Sequence, residues 1–180
     1  MKKHIKHLVH SYQWFRVVFG AIIVYIVLML FAFMCNVTIA NFTPTDKYFM
    51  YADAKCPLRD GTTQAKALEY VMTDMTADGQ YVIKMRSCSQ FKEKVPVTFV
   101  DRLFCDSKSG GFVLVSSHRE EIEEAHIGSH LESKEWIYPE DFFDGRKCFM
   151  ESTVSVRPVW FVRKTQVVQS DVFVPKINKK

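Results

Sequence analysis

The sequence of 180 residues contains none of the short motifs that carry common enzyme chemistry. It has no GxSxG nucleophile elbow, no glycine-rich phosphate loop, no HExxH zinc motif and no zinc-deaminase motif. Residues 116–118 place a serine beside a histidine, but catalytic partners are rarely neighbours along the chain. His126 and His130 have helical spacing, yet a glycine lies between them and no third metal ligand is evident. We therefore expect no catalytic site, no cofactor and no bound metal.

Acidic residues are missing from the first 35 positions, whose charged residues are Lys2, Lys3, Lys6 and Arg16. Because positive residues beside a membrane-spanning segment stay in the cytoplasm, residues 1–16 are predicted to be a cytoplasmic tail. The whole chain has 24 Lys+Arg and 20 Asp+Glu, so the residues after Cys35 carry 20 of each sign. The net charge of +4 therefore reports topology, and we expect no binding to nucleic acid.

Charge is also missing from residues 17–35, a run of nineteen residues. As a helix this run is roughly 28 Å long, close to the thickness of a hydrocarbon core. A cleaved signal peptide is the alternative, but its apolar region is usually about 7–15 residues and small residues follow it. Here bulky residues follow, and Met34 precedes Cys35 where a lipoprotein cleavage site needs a small residue. We predict a retained transmembrane helix over residues 17–35.

Closely spaced cysteine pairs are missing too. Cys56, Cys88, Cys105 and Cys148 follow the apolar run, and no two of them are closer than seventeen residues. This spacing argues against a zinc site, which usually contains a tight CxxC-type pair. An even number of cysteines in an exported domain favours two disulfides, and the count alone permits three pairings.

Short alternating segments dominate the rest of the chain. Residues 36–66 have little periodicity and are predicted to be a tether and an entry loop. Residues 67–75 fit either a strand or an amphipathic helix, and the Asp78-Gly79 turn dipeptide favours a strand there and another over residues 80–88. Residues 95–105 alternate as well, and Asp101 interrupts their apolar face. Six or seven strands predict an antiparallel β-sandwich over residues 67–175, followed by a basic tail, residues 176–180.

Acidic residues concentrate between residues 119 and 144, where nine acids stand against two basic residues. The first half of this stretch has helix-forming character and predicts a short helical, acidic insertion. Two interpretations remain open: a solvated helix followed by a strand of core aromatics, or a surface that recognises a basic partner. The residues of that possible partner surface are Glu120, Glu121, Glu123, Glu124, Trp136 and Tyr138.

A cysteine at the start of the domain, an "LEY…DGQYVI" hairpin and a closing "VRPVWFVRKTQVVQSDVFVP" resemble small immunoglobulin-like domains. Such domains follow single N-terminal membrane helices in proteins of tailed bacteriophages and other mobile elements. The resemblance covers about residues 56–175 and implies a fold and a setting, with no functional residues. In such a sandwich, strands over 67–75, 80–88, 95–105, 147–157 and 164–174 pair so that Cys56 meets Cys88 and Cys105 meets Cys148.

The function predicted from these features is that of a binding module. A single-pass protein of the bacterial inner membrane would display a disulfide-bonded sandwich in the periplasm and contact a protein partner there. The resemblance to phage and mobile-element proteins implies a role in altering the envelope, in excluding superinfecting DNA or in supporting lysis. The alternative is a structural subunit of a secretion or conjugation complex, and a periplasmic enzyme is a more distant one.

Overall fold

The protein is described by a computed structural model, and its backbone covers residues 2–51, 53–58, 60–64, 66–75, 80–107, 109–138 and 145–175. The predicted Asp78-Gly79 turn and the basic tail lie outside these residues, as do residues 139–144 of the acidic stretch and the side chain of Tyr138. The chain divides into two compact units, Met1–Phe42 and Thr43–Lys180.

The first unit is one α-helix, α1, from Lys2 to Phe42. Its segment Trp14–Phe42 is apolar and 29 residues long, enough by length and composition to cross a membrane. The predicted span, residues 17–35, lies inside this segment. The helix runs on past Cys35 because residues 36–42 contain neither proline nor glycine. It ends before Pro44, which disfavours the helical conformation at the residue preceding it.

The second unit is built almost entirely from antiparallel strands. After a 3-10 turn at Thr45–Lys47, the described strands are β1 Phe49–Met50, β2 Cys56–Pro57, β3 Thr63–Gln64, β4 Leu68–Met75, β5 Tyr81–Phe91, β6 Val97–Asp106, β7 Phe112–Ile122, β8 Gly128–Tyr138, β9 Cys148–Val159 and β10 Val162–Gln169. The prediction of a mainly β protein with an N-terminal helix is therefore confirmed.

Two four-stranded sheets face each other in this unit. In the first, β8 pairs along the whole of β5, while β4 and β1 pair with successive parts of β5. The second has the order β10-β9-β6-β7, and β2 pairs with β3 in a separate ribbon. Phe91 of the first sheet packs edge-on against Phe99 of the second, with 6.3 Å between ring centroids. The core between the sheets is apolar over most of its extent; its largest fully buried side chains include Phe49, Ile83, Met85, Leu103, Met150 and Val154.

Two predictions about local structure were wrong. The acidic stretch forms no helix where it is described: residues up to Ile122 belong to β7, and β8 begins at Gly128. Glutamates favour helices only weakly, and backbone pairing with β6 and β5 overrides that preference. The prediction of a tether and entry loop over residues 36–66 was wrong for residues 36–42, which continue α1, and for Phe49 and Tyr51, which are fully buried in the core.

Both predicted disulfides are present. Cys56–Cys88 joins β2 to β5, and Cys105–Cys148 joins β6 to β9. Cys105 and Cys148 are directly opposed in the β6–β9 ladder, as the strand arrangement predicted. Cys35 is the remaining cysteine and is a free thiol.

Candidate functional site

The two sheets are open along one side, where β7 is the last strand of one sheet and β8 of the other. Among the described strands, β7 pairs with β6 and β8 pairs with β5. Between these two edges lies a cleft with a volume of about 420 Å³. We call it the β7–β8 cleft; its lining residues are Ser116, Ser117, His118 and Glu120 from β7, and Lys134, Glu135, Trp136 and Ile137 from β8.

Strand pairing explains why polar side chains of β7 point toward the interior. Residues directly opposed across a strand pair project from the same face of the sheet. Glu120 is opposed to Phe99 and His118 to Asp101. Since Phe99 and Asp101 are both buried, Glu120 and His118 share the inner face with them.

The inner face of β8 is polar for the same reason. Lys134 is opposed to Met85 and Glu132 to Ser87, while Trp136 is opposed to Ile83. Met85 and Ile83 are buried core residues. A strand that lies at the side of the sandwich thus carries Glu132 and Lys134 into the space between the sheets.

An ion pair crosses that space. The Lys134 ammonium donates to a carboxylate oxygen of Asp101 on the facing sheet, and the Ser152 hydroxyl donates to the other oxygen. The Asp101 side chain is 2% exposed and that of Lys134 is 15% exposed. Lys134 also lies 5.2 Å from the centre of the Phe99 ring, in cation–π range. Every polar group of this pair therefore has a partner in a largely dry environment.

Carboxylates outnumber the single ammonium around Lys134. Glu120 Oε2 lies 3.7 Å from Lys134 Nζ, and Glu132 Oε2 lies 3.9 Å from it. With Asp101 this makes three carboxylates for one cation, a local excess of negative charge. Burial raises the pKa of the Glu132 carboxyl, the Lys134 charge opposes this, and the charges of Glu120 and Asp101 raise it further.

Two buried polar atoms at this core have no well-oriented hydrogen-bond partner in the described part of the chain: Trp136 Nε1 and the Tyr51 hydroxyl. Burial raises the pKa of Tyr51 far above its ordinary value, and the neighbouring Ser152 and Ser87 hydroxyls offset only part of the effect. Tyr51 is therefore a neutral phenol. Unsatisfied buried donors are uncommon, and they concentrate at strained or functional sites.

The structure brings together only part of the predicted partner surface. Glu120 and Trp136 both line the β7–β8 cleft. Glu121 instead pairs with Arg119, and Glu124 pairs with Lys94 at 3.2 Å. Glu123 lines a separate, smaller groove next to Pro96 and Arg157, and the Tyr138 side chain lies outside the described residues.

His126 and His130, which have helical spacing in the sequence, do not form a pair of metal ligands. His130 Nε2 contacts the backbone oxygen of His126 at 2.7 Å, and its ring packs edge-on against Phe91. Among the described residues no group of three His, Cys, Asp or Glu side chains is arranged to hold a metal ion. His118 does line the cleft beside Ser116 and Ser117, which adds neutral hydrogen-bonding groups to it.

Sequence reasoning missed the residues at the centre of the site. Asp101 could have been identified from the sequence, because it is the one acidic residue on an otherwise apolar strand face. No sequence pattern distinguished Lys134 or Glu132, since they lie in a charged stretch that is also typical of a solvated segment. Chemically, the assembled cleft offers carboxylates, an indole and two strand edges, which suits an extended polypeptide with basic side chains better than a small apolar molecule.

No protein-family profile and no curated protein matches the chain. Seven chains of solved structures do match. One is Bacteroides uniformis beta-glucuronidase 2, covalently bound to cyclophellitol-6-carboxylate aziridine, with 12% sequence identity and a TM-score of 0.37. The match covers 59% of this chain and 14% of that chain, so this chain spans only a small part of that protein's length. A likeness at this TM-score does not identify a shared activity.

Proposed function

We propose that the chain is a membrane-anchored binding module without enzymatic activity. Helix α1 holds it in the bacterial inner membrane with residues 1–16 in the cytoplasm, and the sandwich projects into the periplasm. There the β7–β8 cleft receives an extended, basic segment of a protein partner in the cell envelope.

The membrane part of the proposal rests on α1 and on the charge distribution. The apolar segment Trp14–Phe42 is long enough to span a bilayer, and four basic residues with no acids precede or border it. The two disulfides are consistent with this orientation, since disulfides persist in oxidising compartments such as the periplasm.

The single observation that carries the binding proposal is the β7–β8 cleft itself. Open strand edges expose backbone groups that can pair with an added strand. The carboxylates of Glu120, Glu132 and Asp101 exceed the charge of Lys134, so an added lysine or arginine would find a complementary field. Trp136 supplies an aromatic wall for such a side chain.

Site-specific photo-crosslinking in intact cells tests this proposal. A photoreactive residue at Ser117, in the cleft, should give an adduct with a partner protein, whereas one at Thr165, an exposed position on β10, should not. Glu120→Lys should abolish the adduct and Glu120→Gln should weaken it, because the first reverses and the second removes the attracting charge. Equal adducts from both positions, or an adduct unaffected by Glu120→Lys, would refute binding in the cleft.

The same experiment separates the two structural roles that the protein could have. A single adduct with an envelope protein, in cells that resist superinfection only when the chain is present, supports an exclusion factor. Several adducts within one detergent-stable assembly support a subunit of a secretion or conjugation complex instead.

A further inference from the structure

The β9–β10 hairpin ends in two adjacent aromatic residues that face solvent. Trp160 and Phe161 connect the two strands and are 80% and 69% exposed. Their rings stack on each other with centroids 5.3 Å apart. Aromatic residues of this size are normally buried, so an exposed pair at the end of a hairpin indicates a contact surface.

This hairpin tip lies at the end of the sandwich where the chain enters it. The Tyr48 carbonyl accepts a hydrogen bond from the Lys92 N–H at 2.9 Å, so the first residues of the unit lie beside the loop that follows β5. The same loop leads into β6, where the Pro96 carbonyl accepts from the Arg157 N–H at 3.1 Å. Arg157 is three residues before Trp160, which places the tip at this end.

A third exposed apolar side chain lies at the same end. Ile127, in the connection between β7 and β8, is 62% exposed and precedes Gly128, which is opposed to Phe91 at the end of β5. Among the large hydrophobic side chains described between Thr43 and Pro175, Trp160, Phe161 and Ile127 are the three most exposed. The most exposed apolar side chains described in this unit are therefore concentrated at one of its ends.

The charges around the tip suit the surface of a phospholipid bilayer. The segment from Arg157 to Lys164 contains three basic residues and no acid. Of the nearby glutamates of the acidic stretch, Glu121 and Glu124 are paired with Arg119 and Lys94, and Glu123 lines a groove with Arg157. Tryptophan prefers the layer between the hydrocarbon core and the head groups, where arginine beside it can contact phosphates.

We propose that the Trp160–Phe161 tip inserts into the interfacial layer of the same bilayer that α1 crosses, and that Ile127 lies against its surface. This inference rests on the proposed membrane anchorage. Tyr48, near the start of the sandwich unit, lies at the end of that unit that carries the tip.

Fluorescence quenching in vesicles of phosphatidylethanolamine and phosphatidylglycerol tests the proposal on the full-length protein. A nitroxide on the lipid head group or at a shallow acyl position should quench Trp160, measured as the difference between the wild type and Trp160→Phe. The background from Trp14 and Trp136 is the same in both proteins. Val172→Trp, added to Trp160→Phe, is the matched control, because Val172 is exposed beside Phe173, which pairs with Cys148 at the opposite end.

We expect lipid quenching of the Trp160 component to exceed that of the control tryptophan by roughly twofold or more, with the opposite order for aqueous iodide. Equal lipid quenching at the two positions, or a Trp160 component open to iodide and untouched by lipid, would overturn the inference and leave the tip as a protein-binding surface. Failure of the wild type to float with the vesicles would instead refute the proposed anchorage.

Discussion

At the scale of single residues, the ion pair between Asp101 and Lys134 determines the character of the interior beside the cleft. The two charges lie on facing sheets; the Asp101 side chain is fully buried and that of Lys134 is mostly buried. A buried pair gains little net stability over apolar residues, but loss of one partner leaves an uncompensated charge. The pair is therefore better explained as a device that sets the spacing of the two sheets at the cleft than as a source of stability.

Removal of the Lys134 charge should be strongly destabilising. We expect Lys134→Met to lower the free energy of unfolding by about 3–5 kcal/mol, because the Asp101 carboxylate stays buried without its cation. Addition of Asp101→Leu should recover most of this loss. The measurement is urea unfolding of the full-length, disulfide-intact protein in detergent, followed by near-ultraviolet circular dichroism.

The control for that experiment is Arg102→Met, on the opposite face of β6. Arg102 pairs with Glu151 at 2.9 Å, but both side chains remain partly exposed. Such a pair contributes roughly 0–1 kcal/mol. A Lys134→Met protein that loses no more stability than Arg102→Met would contradict the role assigned to the buried pair.

Glu132 should make stability depend on pH. Its pKa is raised in the folded protein, chiefly by burial, so the folded state holds this proton more tightly than the unfolded state. The stabilising contribution is complete below the unfolded pKa and is lost as pH rises through the folded pKa. Glu132→Gln should therefore be more stable than the wild type at neutral pH, and the difference should shrink as pH falls toward the ordinary glutamate range.

Denaturant unfolding at a series of pH values from mildly acidic to neutral measures this effect. Glu135→Gln is the matched control, because Glu135 is a more exposed carboxylate on the same strand and pairs with Lys84 at 3.2 Å. A wild-type–minus–Glu132→Gln difference that does not change with pH would show that the environment of Glu132 is not the one described.

At the scale of elements, β7 and β8 show how strand pairing overrides local preference. The segment "REEIEE" has the composition of a helix, yet its residues 119–122 continue β7 opposite Val97–Val100 of β6. A register shift between Leu103 and Phe104 inserts one extra residue into β7. The extra residue is Val115, directly before the cleft-lining residue Ser116. Because a bulge bends its strand, β7 changes direction at this end of the cleft.

Removal of the two disulfides should have different effects on the local structure. By loop-closure entropy each contributes about 4 kcal/mol, since the cysteines are 32 and 43 residues apart. Cys105 and Cys148 are already opposed in a continuous ladder, so Cys105→Ser/Cys148→Ser should lower global stability and keep the native register. Cys56→Ala/Cys88→Ala should in addition free the segment around the two-residue strand β2.

Native-state trypsin digestion measures that difference. The variant without Cys56–Cys88 should be cut at Lys55 under conditions where the variant without Cys105–Cys148 is not, as mapped by mass spectrometry. Equal protection of Lys55 in the two variants would show that β2 is held by its backbone pairing alone.

At the scale of the whole molecule, the helix and the sandwich follow different physical rules. Unit Met1–Phe42 is a helix whose apolar segment Trp14–Phe42 exposes most of its side chains, which suits lipid as the surrounding solvent. Unit Thr43–Lys180 buries its apolar residues in its own core and contains both disulfides.

The route that the chain takes through the membrane should therefore determine its oxidation state. Deletion of residues 1–42 should leave the sandwich in the cytoplasm with reduced, alkylatable cysteines. Replacement of those residues by a cleavable signal peptide should restore both disulfides, visible as resistance to maleimide until a reductant is added. Recovery of the full-length chain from the cytosol with all five thiols reactive would refute the proposed topology.

Sequence alone determined the features that depend on composition and on short-range periodicity. An uncharged run predicts a membrane helix whatever surrounds it, and alternation predicted strands corresponding to β4, β5, β6, β9 and β10. The disulfide pairing followed once the strands were ordered, because antiparallel register fixes which ends meet. Glu120 and Trp136 were identified as candidate surface residues by residue type alone.

Only the tertiary structure decided which side chains meet. Whether Lys134 faces water or Asp101 depends on how two separate sheets are stacked, and that arrangement is set by contacts far apart in the chain. The same holds for the cleft, since an unpaired edge is a property of a sheet and not of a strand. Strand formation needs only local alternation of apolar and polar residues, whereas a site between sheet edges requires the register of every strand that separates them.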